Sequence, residues 1–413
     1  MTLIETSIHE QIILHESICT FFHPIVSIKN RSIMGFEALS RGYNPFSYEY
    51  IYPDILFNCD KPMDALQIDR LCRKKSIEKF ASTDWKDTEM FLSINFDSSL
   101  LDDRLTSRGK FLEIVEIFHM NPRQIVIEIL ESKVKNLTEL QTFVEFYREA
   151  GFMIALDDVG AGHSNLNRFT FIKPDIIKLD RGLISNIQNE YYKQEVVKAI
   201  INLSHTIGAV AVAEGVETEE EVICSMELGA DLFQGFYFTQ PTEITSTLFT
   251  HTQNKIQKVS SGFRTRQIHS FHHRQKKRAA FEEMVRPYVE SLRNKTEPDF
   301  NDCLRSIVLS DPSIECVYIL DSFGVQTTLT VCQPTAGLHA HKFLFRPAVP
   351  GSDQSLKEYF LLIDAGLTLY VSEPYVSLAS GNLCITISTS FKNTENDTFV
   401  FCMDIHPDAI SCH

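Results

Sequence analysis

No apolar run in the 413 residues approaches the roughly 20 consecutive residues that a membrane-spanning helix needs. The amino terminus, Met1-Thr2-Leu3-Ile4-Glu5, lacks the basic-then-apolar pattern of an export signal. Ten cysteines are present, but no CxxC pair and no spacing that pairs such a motif with histidines, which excludes a zinc module. A chain this long builds its core without disulfides, so free thiols in a reducing, cytoplasmic setting are expected. Positive charge is scarce: 39 Lys and Arg face 54 Asp and Glu, a net charge of −15. Such a balance disfavours duplex nucleic acid, whose affinity rests on neutralising phosphates. Only residues 255–295 run the other way, with 11 Lys or Arg against 3 Asp or Glu. The three histidines there (His269, His272 and His273) lack acidic or cysteine partners at ligand spacing, which reads as a solvated connecting helix.

What is present is an alternation of short apolar runs and amphipathic stretches from about residue 20 to 240. Strands are expected at 21–28, 32–39, 90–95, 124–130, 152–156, 174–179, 209–213 and 231–236. Helices are expected at 64–80, 111–120, 137–150, 164–171, 191–207 and 218–228. Repeated strand–helix units imply parallel strands with helical crossovers, and eight strands favour a closed (β/α)8 barrel over a doubly wound sheet. After residue 296 helical periodicity fades. Runs at 313–320, 325–331, 360–363, 383–390 and 398–404 read as a small antiparallel sheet. The expected organisation is a barrel over 1–245, a basic helical linker over 246–295 and a small α+β domain over 296–413.

Polar residues able to bind metal or move protons end one barrel strand after another. Glu37 ends the second strand, Asn95 the third, Glu128 the fourth, Asp157 and Asp158 the fifth, Lys178 and Asp180 the sixth, and Glu214 and Glu217 the seventh; Gln234 lies in the eighth. In a closed barrel those ends converge on one rim, where barrel enzymes place their chemistry. Carboxylates and an amide oxygen, without His or Cys, suit hard cations such as Mg²⁺ or Mn²⁺. Two such ions are a standard device for phosphoester hydrolysis.

These residues sit in motifs that resemble the EAL family of cyclic-di-GMP phosphodiesterases. Phe36-Glu37-Ala38-Leu39-Ser40-Arg41 resembles the signature that names it, and Ile127-Glu128-Ile129-Leu130-Glu131-Ser132 its ELTES segment. Asp157-Asp158-Val159-Gly160-Ala161-Gly162-His163-Ser164 resembles DDFGTGYS, and Asp175-Ile176-Ile177-Lys178-Leu179-Asp180 resembles DxxKID. Ala213-Glu214-Gly215-Val216-Glu217-Thr218 matches AEGVET, and Gln234-Gly235-Phe236-Tyr237-Phe238 resembles QGYLF. The motifs keep the family's order over about half the chain.

The resemblance implies a TIM-like barrel binding two Mg²⁺ or Mn²⁺ ions and cleaving cyclic di-GMP to linear pGpG. Glu37, Asn95, Glu128 and Asp157 would hold one ion; Asp157, Asp158 and Asp180 would surround the other. Lys178 would position the attacking water. Glu214 would be a metal-site or base residue, Glu217 would tether the metal-site loops, and Glu131 would brace loop 157–164 through Ser164. His23, Leu39, Arg41 and Gln234 would touch the nucleotide. A homodimer is implied as well. His23 stands where the family has Gln, Val159 where it has Phe, and His163 where it has Tyr, so a weakly active barrel serving as a cyclic-di-GMP receptor is the alternative. The C-terminal part resembles a PAS/Cache-type sensor with an unidentified small ligand. Arg346, Tyr375 and Asp404 are candidate polar groups of that pocket.

Overall fold

The computed structural model describes residues 7–44, 47, 49–96, 109–130, 137–161, 167–333, 346–377, 379–407 and 409. The chain separates into two compact units, Met1–Thr265 and Arg266–His413, with the division inside one continuous helix, Ser246–Arg293.

In the first unit, β1 (Ile18–Ser27) and β2 (Ser32–Tyr43) pair antiparallel with His23 opposite Glu37. This corrects the expectation of parallel strands throughout. The turn between them is too short for a crossover, and a short turn admits only antiparallel pairing. A two-residue strand, β3 (Tyr50–Ile51), pairs with the far end of β2. The strands β4 (Phe91–Phe96), β5 (Ile125–Leu130), β6 (Met153–Val159), β7 (Ile176–Leu179), β8 (Val210–Ala213) and β9 (Leu232–Phe233) continue in parallel register from β2. β9 then pairs antiparallel with β1 through Val26 and Phe233, closing an eight-stranded barrel from which β3 is excluded. The last strand is shorter than expected, so Gln234 falls just beyond it.

Crossover helices include Pro62–Ala81, Leu137–Glu149, Tyr191–Thr206 and Glu219–Glu227. Pro62 at the first turn starts one without losing a hydrogen bond. A reciprocal capping box between Thr218 and Glu221 starts another.

Both faces of the strands are buried, which is why they read as continuous apolar runs. Ile125 and Ile127, Ile154 and Leu156, and Ala211 and Ala213 pack in the larger core that includes helix residues. The alternating residues Ile25, Val126, Ala155, Ile176, Val212 and Leu232 form a separate cluster inside the barrel, against which Phe91 packs.

The second unit is an antiparallel sheet of β10 (Ile314–Asp321), β11 (Val331–Cys332), β12 (Leu369–Val371), β13 (Tyr375–Val376), β14 (Leu383–Lys392) and β15 (Thr398–Ile405), ordered β11-β10-β15-β14-β12 with β13 on β14. Three expectations fail here. The run 325–331 makes only isolated bridges at Val325 and Gln326 before β11 begins at its last residue, Val331. Residues 360–363 lie in the helix Glu358–Asp364, because Phe360 and Ile363 are three apart and share its buried face. Cys316 and Cys332 form a disulfide where free thiols were expected, because β10 and β11 set them directly opposite each other.

Candidate metal-dependent active site

The barrel's inner cluster dictates where its chemistry lies. Side chains two apart on a strand share a face. Stepping two residues along from Val126, Ala155, Ile176, Val212 and Leu232 gives Glu128, Asp157, Lys178, Glu214 and Gln234. From Phe91 the same step gives Ser93 and then Asn95. On antiparallel β1 the step from Ile25 runs backwards, to His23. Thus one layer of apolar side chains carries a polar layer directly above it, at the C-terminal end of the parallel strands.

Lys178 is the hub of that layer and is 2% exposed. Its Nζ lies 2.6 Å from Glu128 Oε1, 2.6 Å from Glu214 Oε1, 3.4 Å from Asp157 Oδ1 and 3.9 Å from Glu37 Oε2. Burial opposes the ammonium charge, but the four carboxylates more than offset it and hold its pKa well above the usual value. Burial, reinforced by Glu37, drives the Glu128 carboxyl well up despite Lys178. Burial also raises Glu214. Glu37 is the exception. Although burial raises it, Lys178, His23 and the donors Gln234 and Asn95 bring it below the usual range. Asn95 Nδ2 donates to Glu37 Oε1 at 2.7 Å, and Gln234 Nε2 to Glu37 Oε2 at 2.5 Å.

Asp157 and Asp158 are adjacent, so a regular strand would aim them to opposite faces. A bulge between Leu156 and Val159 breaks the β6–β7 register, and Asp158 takes a left-handed φ of 56°. Carboxylate oxygens of Asp157, Asp158 and Glu214 consequently come within 4.8 Å of one another. Asp158 is pushed up to about 6 by burial and then by Asp157 and Asp180. Gly160 follows at φ 104°, where a Cβ would meet Leu183 Cδ1 at 2.2 Å.

Five carboxylates around one ammonium leave an uncompensated negative charge that invites cations. Glu128 Oε2 and Gln234 Oε1 are buried acceptors with no hydrogen-bond partner among the described residues. All these ligands are oxygens, the donor set of Mg²⁺, Mn²⁺ or Ca²⁺. The residues therefore fit divalent metal.

The remaining expected site residues fall around this centre. His23 accepts from Gln234 Nε2 at Nδ1 (3.0 Å), and its Nε2 lies 3.1 Å from the Thr239 carbonyl. Nε2 therefore carries the proton, and burial lowers the ring's pKa. Leu39 and Arg41 line a cavity of about 280 Å³ that reaches Asn95 and includes Arg73. Asp180 Oδ1 accepts from Gly182 N at 2.8 Å as a helix cap, close enough to Asp158 to act on its charge. Glu217 stands outside the cluster, 2.7 Å from Arg181. That pair joins the loop after β8 to the short helix Arg181–Ile184 that follows β7. Glu131, Gly162, His163 and Ser164 lie outside the described residues.

Sequence reasoning missed Ser93, whose Oγ donates to Glu128 Oε1 at 2.5 Å. Its place two residues before Asn95 on an inward-facing strand was the available signal. It also missed Arg181, the partner of Glu217, which no periodicity marks.

Residues 6–241 match the family model described as the EAL domain. The Bacillus subtilis protein described as "Uncharacterized EAL-domain containing protein YkuI" is 23% identical over 360 residues, covering 84% of each chain. Its crystal structure, described as a complex with substrate c-di-GMP and calcium, superposes with a TM-score of 0.76 at 20% identity over 97% of this chain and 99% of that one. Cyclic di-GMP phosphodiesterase RocR of Pseudomonas aeruginosa is 26% identical over 54% of this chain and 56% of its own length. A manganese and cyclic-di-GMP complex of Klebsiella pneumoniae BlrP1 gives a TM-score of 0.51 at 27% identity, over 55% of this chain and 56% of that one. The chain thus spans most of YkuI but only a little over half of RocR and BlrP1.

Proposed function

Because this chain belongs to the EAL-domain family, we propose that it hydrolyses cyclic di-GMP to linear pGpG with two Mg²⁺ or Mn²⁺ ions. The observation that carries the reading is the buried Lys178 ammonium ringed by Glu128, Glu214, Asp157 and Glu37, beside the Asp157–Asp158 pair. The cyclic-di-GMP and manganese in the BlrP1 complex support it.

Glu37, Asn95, Glu128, Asp157 and Asp158 would hold the ions, with Asp180 at their edge. When bound, such ions acidify a water and offset charge on the phosphate. Lys178, fixed between Glu128 and Glu214, orients the attacking water by hydrogen bonding. Glu214 accepts that water's proton. The water oxygen bonds to phosphorus as the bond to the 3′ oxygen breaks. The leaving 3′ oxygen takes a proton from solvent water, Glu214 later releases its proton to solvent, and the phosphate stays on the 5′ side. Gln234, His23, Leu39 and Arg41 contact the nucleotide, while the Glu217–Arg181 pair keeps the segments after β7 and β8 in register and Glu131 braces the loop after Asp158. The unit beyond the basic helix acts as a PAS/Cache-like sensor on a homodimeric, cytoplasmic protein.

The test is single-turnover hydrolysis with Mn²⁺ or Mg²⁺ beside Glu37→Ala. Formation of pGpG that Glu37→Ala abolishes is expected. Tight binding without turnover at any metal concentration would refute the enzyme and leave a receptor.

A further inference from the structure

The second unit contains a small cavity whose polar groups have no role in the barrel. It measures about 160 Å³ and is lined by Gln326, Tyr375, Asp404, Arg346 and Lys357, among others. All lie within the compact unit Arg266–His413. Arg346, Tyr375 and Asp404, the three residues that the sequence pointed to, therefore share one cavity.

Gln326 is 1% exposed. Its Nε2 donates to the Thr328 carbonyl (2.8 Å) and to Thr330 Oγ1 (2.9 Å), which fixes the orientation of the amide. Its Oε1 is a buried acceptor with no partner among the described residues. Asp404 is 2% exposed and accepts from Thr386 Oγ1 at 2.7 Å. The Tyr375 hydroxyl lies 2.5 Å from the same Thr386 oxygen. The cavity is thus lined by a carboxyl group that already accepts from Thr386 and Ser377 and by an amide whose carbonyl oxygen still lacks a donor among the described residues. Burial raises Asp404 to about 7, with the Glu315 charge adding to the rise and hydrogen bonds from Thr386 and Ser377 opposing it. At the exposed side, Arg346 and Lys357 bring a guanidinium and an ammonium to the same cavity.

We infer that this cavity is a binding site for a small amino-carboxylate, an α-amino acid or close analogue, with its ammonium toward Asp404 and Gln326 Oε1 and its carboxylate toward Arg346 and Lys357. Each half of the site argues against simpler ligands. A bare anion would meet Asp404, and a bare cation would meet Arg346 and Lys357. The volume is close to the ~150 Å³ cavity that accommodates benzene, so the occupant has on the order of six to ten heavy atoms. A nucleotide does not fit.

The experiment is isothermal titration of the full chain with the protein L-amino acids, and with same-sized carboxylic acids and amines that lack one of the two groups. At least one amino acid is expected to bind, with the matching acid and amine each at least about tenfold weaker. Arg346→Ala, at an exposed position that leaves the core intact, and Asp404→Asn should each weaken binding about tenfold or more. Far-ultraviolet circular dichroism and unfolding profiles establish that both variants fold. The proposal is overturned if no amino acid binds at millimolar concentration, if a half-molecule binds as well as the whole, or if the folded variants bind like the wild type. None of these outcomes depends on cyclic-di-GMP hydrolysis.

Discussion

Replacing Lys178 by Met tests whether one buried ammonium holds the acidic layer together. Lys178 contacts Glu128 and Glu214 at 2.6 Å each, with Asp157 at 3.4 Å and Glu37 at 3.9 Å. Methionine keeps the bulk and removes the charge. Breaking a buried ion pair by deleting one partner costs about 3–5 kcal/mol, since the other charge stays buried without compensation. In metal-free protein at pH 8, Lys178→Met should therefore shift the barrel's unfolding equilibrium by a factor of roughly 10² to 10³ or more. The loss has a definite pH dependence. Glu128 and Glu214 already have raised folded-state pKa values, and losing the ammonium raises them further. Raised carboxyl groups stabilise the fold below their unfolded pKa and lose that contribution as pH rises through the folded value. The defect should thus shrink toward pH 5 and widen toward pH 8. Adding Mn²⁺ should recover more stability in the variant than in the wild type, because the ion supplies the missing positive charge. Urea unfolding with a chelator at both pH values, repeated with Mn²⁺, measures all three effects. A cost below about 1 kcal/mol at pH 8, or a defect independent of pH, would refute Lys178 as the counterion of the layer.

Two further perturbations probe the Asp pair. Asp158 is raised to about 6, so its contribution to metal-free stability is fully present below its ordinary value of 3.8 and lost as pH rises through about 6. Asp158→Asn should flatten that part of the stability–pH curve in thermal melts, and should lower metal-activated turnover at least about 100-fold. Gly160→Ala forces a left-handed φ of 104° on alanine and sets its Cβ 2.2 Å from Leu183 Cδ1. A loss of about 1–3 kcal/mol in chemical unfolding is expected, together with weaker Mn²⁺ binding by titration.

Much of the barrel was legible because its strands are buried on two faces, so each declares itself as a short apolar run between helical stretches. The site was legible because its polar residues interrupt those runs at equivalent places. What could not be read is how the backbone departs from regularity. Nothing in Asp157-Asp158 announces the bulge that turns both carboxylates to one side, because adjacent acids on a regular strand diverge. The direction of β1 was available in principle, from the shortness of the turn after Ile28, but apolar alternation carries no direction. The helix Glu358–Asp364 is only seven residues long, too short for periodicity to separate it from a strand. The Cys316–Cys332 bond depends on the register of two strands that meet in only two residue pairs. Arg181 became part of the site only once the segments after β7 and β8 were seen to meet.

The closure of the barrel has a mechanical consequence. β1 meets β9 through a single residue pair, Val26 with Phe233, and the isolated bridge Phe22–Thr242 is its only reinforcement by backbone among the described residues. Across that thin seam, Gln234 grips His23 on one strand and Glu37 on the next. Gly235 lies so near the backbone of Val216 that a Cβ would sit 2.1 Å from its carbonyl oxygen, which anchors the residue beside Gln234 in place. The side chains expected to meet nucleotide and metal are therefore also the clasp of the cylinder. Whatever changes the charge on Glu37 or draws Gln234 toward a ligand alters how tightly the barrel is fastened. Amide exchange along β1 and β9 would register occupancy of the site as a change in the strength of the fold's own seam.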